Sequence, residues 1–224
     1  MVKRFVGSNQ KTAYKIDSAE KAYTLGFLWG DGHMTSYKTK DGISDIHYPV
    51  LEITRIDLDL IKELFSVWGD WDATYRHRAN RKPQGQIILC DKDFGWFLCQ
   101  YDYLIKSITE PTKILSIIPN KLKSYWWRGL IDADGCFYTN KKEYLRQFSL
   151  ASTFEQPWTE AEKLFTKLKI VKYDIQRRTV IKSKSSVIRI SNRNDIIRLG
   201  DYIYAGDQSI GLQRKYEKFL EIKN

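Results

Sequence analysis

The stretch Trp127-Arg128-Gly129-Leu130-Ile131-Asp132-Ala133-Asp134-Gly135 decides how this chain folds. A weaker copy lies 103 residues earlier, as Thr24-Leu25-Gly26-Phe27-Leu28-Trp29-Gly30-Asp31-Gly32. Each copy is an apolar segment with small residues four apart, Gly26 and Gly30 in one, Gly129 and Ala133 in the other. Residues four apart share a helix face, and a stripe of Gly and Ala lets two backbones approach closely. Glycine costs about 1 kcal/mol relative to alanine inside a helix, so Gly26 and Gly30 imply a packing requirement. One Asp-Gly is an ordinary turn. Two, each ending such a segment and about half a chain apart, predict a duplicated fold with two acids meeting at a pseudo-twofold axis. Gly32 and Gly135 are expected to end the helices in the left-handed conformation.

Working outward, the repeat continues. Strand-like alternation follows each copy, over 33–40 and 47–54 in the first half and over 136–141 and 144–152 in the second. An amphipathic helix pattern comes next, through Leu58, Ile61, Leu64, Phe65 and Trp68, and through Trp158, Ala161, Leu164, Phe165 and Leu168. Two further strands are expected at 73–78 and 86–90, matched by 172–181 and 186–191. Each half closes on a helix-like segment, 94–104 and 195–204. Between the halves, Pro111, Pro119 and Asn120 mark a linker. The expected division is 1–108, 109–120 and 121–224.

The chain has 224 residues, 42% of them hydrophobic and 14% aromatic, enough for a real core and against global disorder. Its net charge of +10 favours a polyanionic partner. The charge is lopsided: residues 1–110 hold 15 basic and 15 acidic side chains, residues 111–224 hold 22 and 12. The second half should therefore contribute more of any non-specific attraction to DNA. Cys90, Cys99 and Cys136 lack zinc-ligand spacing and suit a reducing compartment. With no signal-like segment and no apolar run of membrane length, a soluble intracellular protein is expected.

Asp31 and Asp134 carry the chemistry in this reading. If the two helices pack side by side, the carboxylates approach each other, and at about 4 Å and an effective dielectric near 20 their repulsion is about 4 kcal/mol. Such a pair shares a proton or binds a divalent cation, and hard oxygen ligands suit Mg²⁺. Two acids, a divalent ion and a basic protein point to phosphodiester hydrolysis. A calcium-loop reading of 132–135 fails, because it would place Leu130 at the first ligand position and Lys141 at the last. Asp132 has Trp29 as its counterpart and lacks the symmetry of a catalytic pair.

From Gly129 to Gly135 the sequence is the core of the motif of the LAGLIDADG homing endonucleases, with Trp127-Arg128 replacing the first two letters. The chain resembles the single-chain, two-repeat members of that family. The resemblance implies an α+β fold of two pseudo-symmetric αββαββα repeats, saddle-shaped antiparallel sheets over DNA and a central two-helix interface. It implies site-specific cleavage of both DNA strands at a long asymmetric target, leaving short 3′ overhangs. The acids would be Asp31 and Asp134, holding Mg²⁺ (or Mn²⁺) with the neighbouring Gly30 and Ala133. The family's basic residue near the scissile phosphate maps to Lys113 and Lys215, which are 102 residues apart. A polar position after the second strand maps to Arg55 and Ser152.

DNA reading falls to the strands, since a two-stranded ribbon fits the major groove and alternate side chains share a face. The candidates are Lys38, Lys40, Arg55, Arg76, Arg78, Arg81 and Lys82 in the first half. In the second they are Lys141, Lys142, Arg146, Arg177, Lys182, Lys184 and Arg189. The expected partner is double-stranded DNA bound by a monomer, with no membrane. Intron RNA would be a partner if the chain were also a maturase, and a catalytically silent DNA-binding regulator is the third reading.

Overall fold

Ser18 starts the first helix, its side-chain oxygen accepting from the N–H of Lys21 at 3.3 Å. That cap satisfies one of the free donors of the first turn. The computed structural model describes residues 14–38, 45–76, 84–140, 142, 144–180 and 183–224. Helix α1, Ala19–Asp31, carries the first motif copy, and α5, Lys123–Asp134, carries the second. They pack directly on each other, and their glycines show why. A Cβ on Gly26 would come within 1.9 Å of the Trp126 carbonyl oxygen, and one on Gly129 within 2.0 Å of the Tyr23 carbonyl oxygen. These two contacts are exchanged by the pseudo-twofold axis.

The helix ends correct one expectation. Gly32 has φ −80° and ψ 155°, and Gly135 has φ −86° and ψ 159°, so both are extended rather than left-handed. Glycine is needed there for closeness. A Cβ on Gly32 would meet the Tyr103 hydroxyl at 2.2 Å, and one on Gly135 the Ile131 carbonyl oxygen at 2.6 Å.

After α1 the chain forms β1 (Gly32–Lys38), β2 (Asp45–Thr54), α2 (Arg55–Phe65), β3 (Asp72–Arg76), β4 (Gln84–Ile88) and α3 (Lys92–Gln100). Helix α4 (Thr112–Ile117) leads to α5. The same series then recurs as β5 (Gly135–Asn140), β6 (Leu145–Thr153), α6 (Thr159–Lys167), β7 (Tyr173–Val180), β8 (Ser183–Ile190) and α7 (Arg193–Ile203), closed by α8 (Gln213–Lys223). Each half therefore holds one four-stranded sheet, ordered β1-β2-β4-β3 and β5-β6-β8-β7, with antiparallel pairing throughout. Registers match between halves: Gly32 pairs with Leu51 as Gly135 pairs with Leu150. One face of each sheet feeds the core through Leu51, Ile53 and Ile87, or through Phe137, Phe148, Leu150, Ile188 and Ile190. The other face carries intermediate and exposed residues, with Val50 buried among them. The α+β architecture of two repeated sheets with a helical interface is as expected. Helices α4 and α8 fall outside the sequence reading. The first has only six residues, and the second is largely polar, burying only Phe219 and Ile222.

Candidate active site and nucleic-acid interface

Because α1 and α5 end together, Asp31 and Asp134 close both helices at one end of the interface. Gly30 brings them close: a Cβ there would lie 2.5 Å from the Ala133 Cβ and 3.0 Å from Asp134 Oδ2. Burial pushes Asp134 up to about 6, reinforced by the charge of Asp31. Asp31 is also raised by burial, but Lys106, Lys215 and Arg214 oppose the shift.

Two lysines flank the acids. Lys215, in the first turn of α8, donates to the Gly135 carbonyl oxygen. Lys106 donates to the Trp29 carbonyl oxygen and to that of Gly30, the latter at 2.8 Å. Burial depresses both ammonium groups, Lys106 to about 8; the charges of Asp134 and Asp31 counter the shift on Lys106, and those of Asp132 and Asp31 the shift on Lys215. The expectation for Lys113 is not met. Lys113 is exposed and ion-paired with Asp102 at 2.7 Å, away from the acids. Lys106 takes the place that repeat spacing assigned to it. The segment 100–113 contains only these two basic residues. The diversion begins at Asp102, with φ 64°, and continues through a 3₁₀ turn at Tyr103–Ile105. The Gly30 carbonyl, expected as a cation ligand with Ala133, here accepts the Lys106 ammonium.

Cross-repeat ties hold the lysine-bearing segments. Arg214 grips Asp57, at the start of α2, through Nε at 3.2 Å and Nη2 at 2.7 Å. At the pseudo-equivalent place, the Thr112 hydroxyl donates to Glu160 Oε1 at 2.8 Å. Asp132 is buried and structural. It accepts from the Tyr23 hydroxyl at 2.9 Å and the Leu212 N–H at 2.8 Å, anchoring the segment before α8. Arg128, also buried, donates to the carbonyls of Ile203, Asp207 and Ile210.

A cavity of about 270 Å³ opens beside Asp134, lined among others by Gly30, Lys106, Ser152, Gln156 and Trp158. The Ser152 hydroxyl donates to Gln156 Oε1 at 3.1 Å, whose amide in turn donates to the Thr109 carbonyl at 2.9 Å. Arg55 is not its equivalent: it begins α2 exposed, its guanidinium stacked 4.2 Å over the Tyr75 ring. Among the described residues no cluster of three or more His, Cys, Asp or Glu side chains could hold a metal ion. Asp31 and Asp134 are two hard carboxylates, both raised by burial at the helix ends. That pair fits an oxygen-seeking divalent cation.

Register sorts the expected DNA contacts. Arg189 lies on the open face of its sheet, and Arg76 takes the strand position paired with Gln84, its side chain lying outside the described ones. Arg177, Lys184 and Arg146 do not lie on the open face. They share the core-facing register of Ile188 and Phe148. Arg177 instead donates to the carbonyls of Phe154 and Gln156, and Lys184 sits over the Phe154 ring. The neighbouring Arg178, missed in the sequence, is the open-face residue and the register equivalent of Arg76. Lys38 shares the register of Met34, which packs on the core. Lys142 is exposed in the β5–β6 turn, its N–H bonded to Asn140 Oδ1 at 3.1 Å. Lys40, Arg78, Arg81, Lys82, Lys141 and Lys182 lie outside the described residues.

Residues 121–204 match the LAGLIDADG-like domain. The fold of the whole chain is that of solved single-chain LAGLIDADG endonucleases. The meganuclease I-SmaMI, bound to uncleavable DNA, superposes with a TM-score of 0.58 at 13% identity, over 92% of this chain and 90% of that one. I-WcaI, bound to its DNA recognition sequence, gives 0.57 at 16% identity over 97% and 95%. A mesophilic variant of I-DmoI gives 0.57 at 14% over 88% and 99%. No curated protein matches the chain by sequence. Among the described residues no helix is long and apolar enough to cross a membrane.

Proposed function

We propose that this protein is a site-specific double-strand DNA endonuclease. It works as a monomer whose LAGLIDADG helices meet at the active site. The observation that carries the reading is the Asp31–Asp134 pair, held at the ends of two helices whose glycines permit contact and flanked by Lys106 and Lys215. The open sheet faces supply the duplex-binding surface, and the basic second half supplies most of the phosphate attraction.

Asp31 and Asp134 would hold Mg²⁺, with Mn²⁺ substituting, and a bound cation supplies charge at a phosphate oxygen and a water of lowered pKa. The protein's own groups do the rest. Lys106 and Lys215, pinned to backbone carbonyls, set positive charge where the phosphorane would develop negative charge. Ser152 and Gln156 line the cavity beside Asp134 and can order water there. One acid serves each strand, and the two staggered cuts leave short 3′ overhangs. The host compartment of such an activity is intracellular.

A duplex recovered by binding selection is expected to be cut in both strands with Mg²⁺ and to stay intact in EDTA. Tight binding with no cut in either Mg²⁺ or Mn²⁺ would overturn the nuclease reading and leave a DNA-binding regulator. Faster splicing of a precursor RNA in the protein's presence would add a maturase activity.

A further inference from the structure

The two open sheet faces carry the same grid of positions, so their differences can be read position by position. In the first sheet one row runs His33, Val50, Ile88 and Asp72, and the equivalent row in the second runs Cys136, Ser149, Arg189 and Asp174. Asp72 and Asp174 coincide. Ile88 and Arg189 do not. Two rows along, Arg76 pairs with Gln84 and Arg178 with Ser185, so arginine occupies both equivalents.

Arg189 and Arg178 are braced by one side chain between them. Gln176 Oε1 accepts from Arg189 Nη1 at 2.7 Å and from Arg178 Nη2 at 2.8 Å. Arg189 Nε is buried with no partner. A braced guanidinium loses less freedom on binding and presents its planar donors in a fixed direction. Arginine pairs bidentately with guanine O6 and N7 in the major groove, whereas an aliphatic side chain fits the thymine methyl. The neighbours Cys136 and Ser149 are small, which leaves Arg189 accessible to a base edge.

Resting on the DNA-cleavage reading, we infer that the target breaks its pseudo-palindrome at the base pair over Ile88 and Arg189. The half-site beneath the second repeat carries a guanine there, and the mirror position beneath the first repeat carries an A·T pair. At the pair over Arg178 the second half-site carries a further guanine. The pseudo-twofold axis relating the sheets also relates the half-sites, so equivalent side chains meet mirror-related base pairs.

Selection of bound duplexes from a random library in EDTA, with sequencing, tests this on the full chain. Wild type should yield a consensus with guanine at one position and A·T at its mirror. Arg189→Lys keeps the charge but gives up the paired contact, and should lose about tenfold in preference for that guanine. Ile88→Arg should introduce guanine at the mirror position. The same base pair at both positions in wild type, or an Arg189→Lys consensus unchanged from wild type, overturns the inference while leaving DNA binding intact. No enriched duplex at all defeats the DNA-binding reading, and this inference with it.

Discussion

Asp134 sits where burial and a second carboxylate both oppose its ionisation. Its folded pKa of about 6 lies above the ordinary carboxylate value. Its contribution to stability is therefore complete below about pH 4 and is lost as pH rises through about 6. Removing the ionisable group should undo that loss. In chelator at pH 7.5, Asp134→Asn is expected to melt about 4 °C or more above wild type, a gain that disappears near pH 4. Equal melting temperatures at both pH values would show that the acid is not strained. The lysines make a second prediction at this scale. Lys106→Met should slow cleavage by about a hundredfold or more, while Lys113→Met, in an exposed ion pair, should leave the rate nearly unchanged. Single-turnover rates on saturating DNA compare the two directly.

At the scale of elements, α1 and α5 are placed by their glycines. Helix propensity alone makes Gly129→Ala stabilising by about 1 kcal/mol. The interface reverses that sign, because the new Cβ would sit 2.0 Å from the Tyr23 carbonyl oxygen. The expected result is a loss of about 3 kcal/mol in urea unfolding; a gain would contradict the close-packed interface. This interface was legible in the sequence, since small residues four apart recur before both Asp-Gly pairs. So were the sheets, whose alternation repeats between halves. Lys106 was not, because a left-handed residue and a 3₁₀ turn break the spacing on which the repeat argument relied. Arg177 and Arg178 are adjacent, and a one-residue step exchanges sheet faces, so only pairing register could tell them apart. The ties of Arg214 to Asp57 and Thr112 to Glu160 join residues far apart in sequence, and no local pattern announces them.

At the scale of the whole molecule, the two halves share one geometry and divide the charge unequally. The first is neutral over residues 1–110, and the second carries the net +10. DNA affinity should fall steeply with salt, with log K against log salt sloping near −7 for about eight phosphate contacts. Charge-neutralising substitutions confined to the second half should flatten that slope more than equal numbers in the first. The central claim, that two symmetry-related acids cut two strands, is tested most directly on a supercoiled plasmid carrying the selected target. With Mg²⁺, wild type should linearise it. Asp31→Asn and Asp134→Asn should each bind the target as wild type does and slow linearisation by at least about a hundredfold. Linearisation by either variant at the wild-type rate would contradict the account.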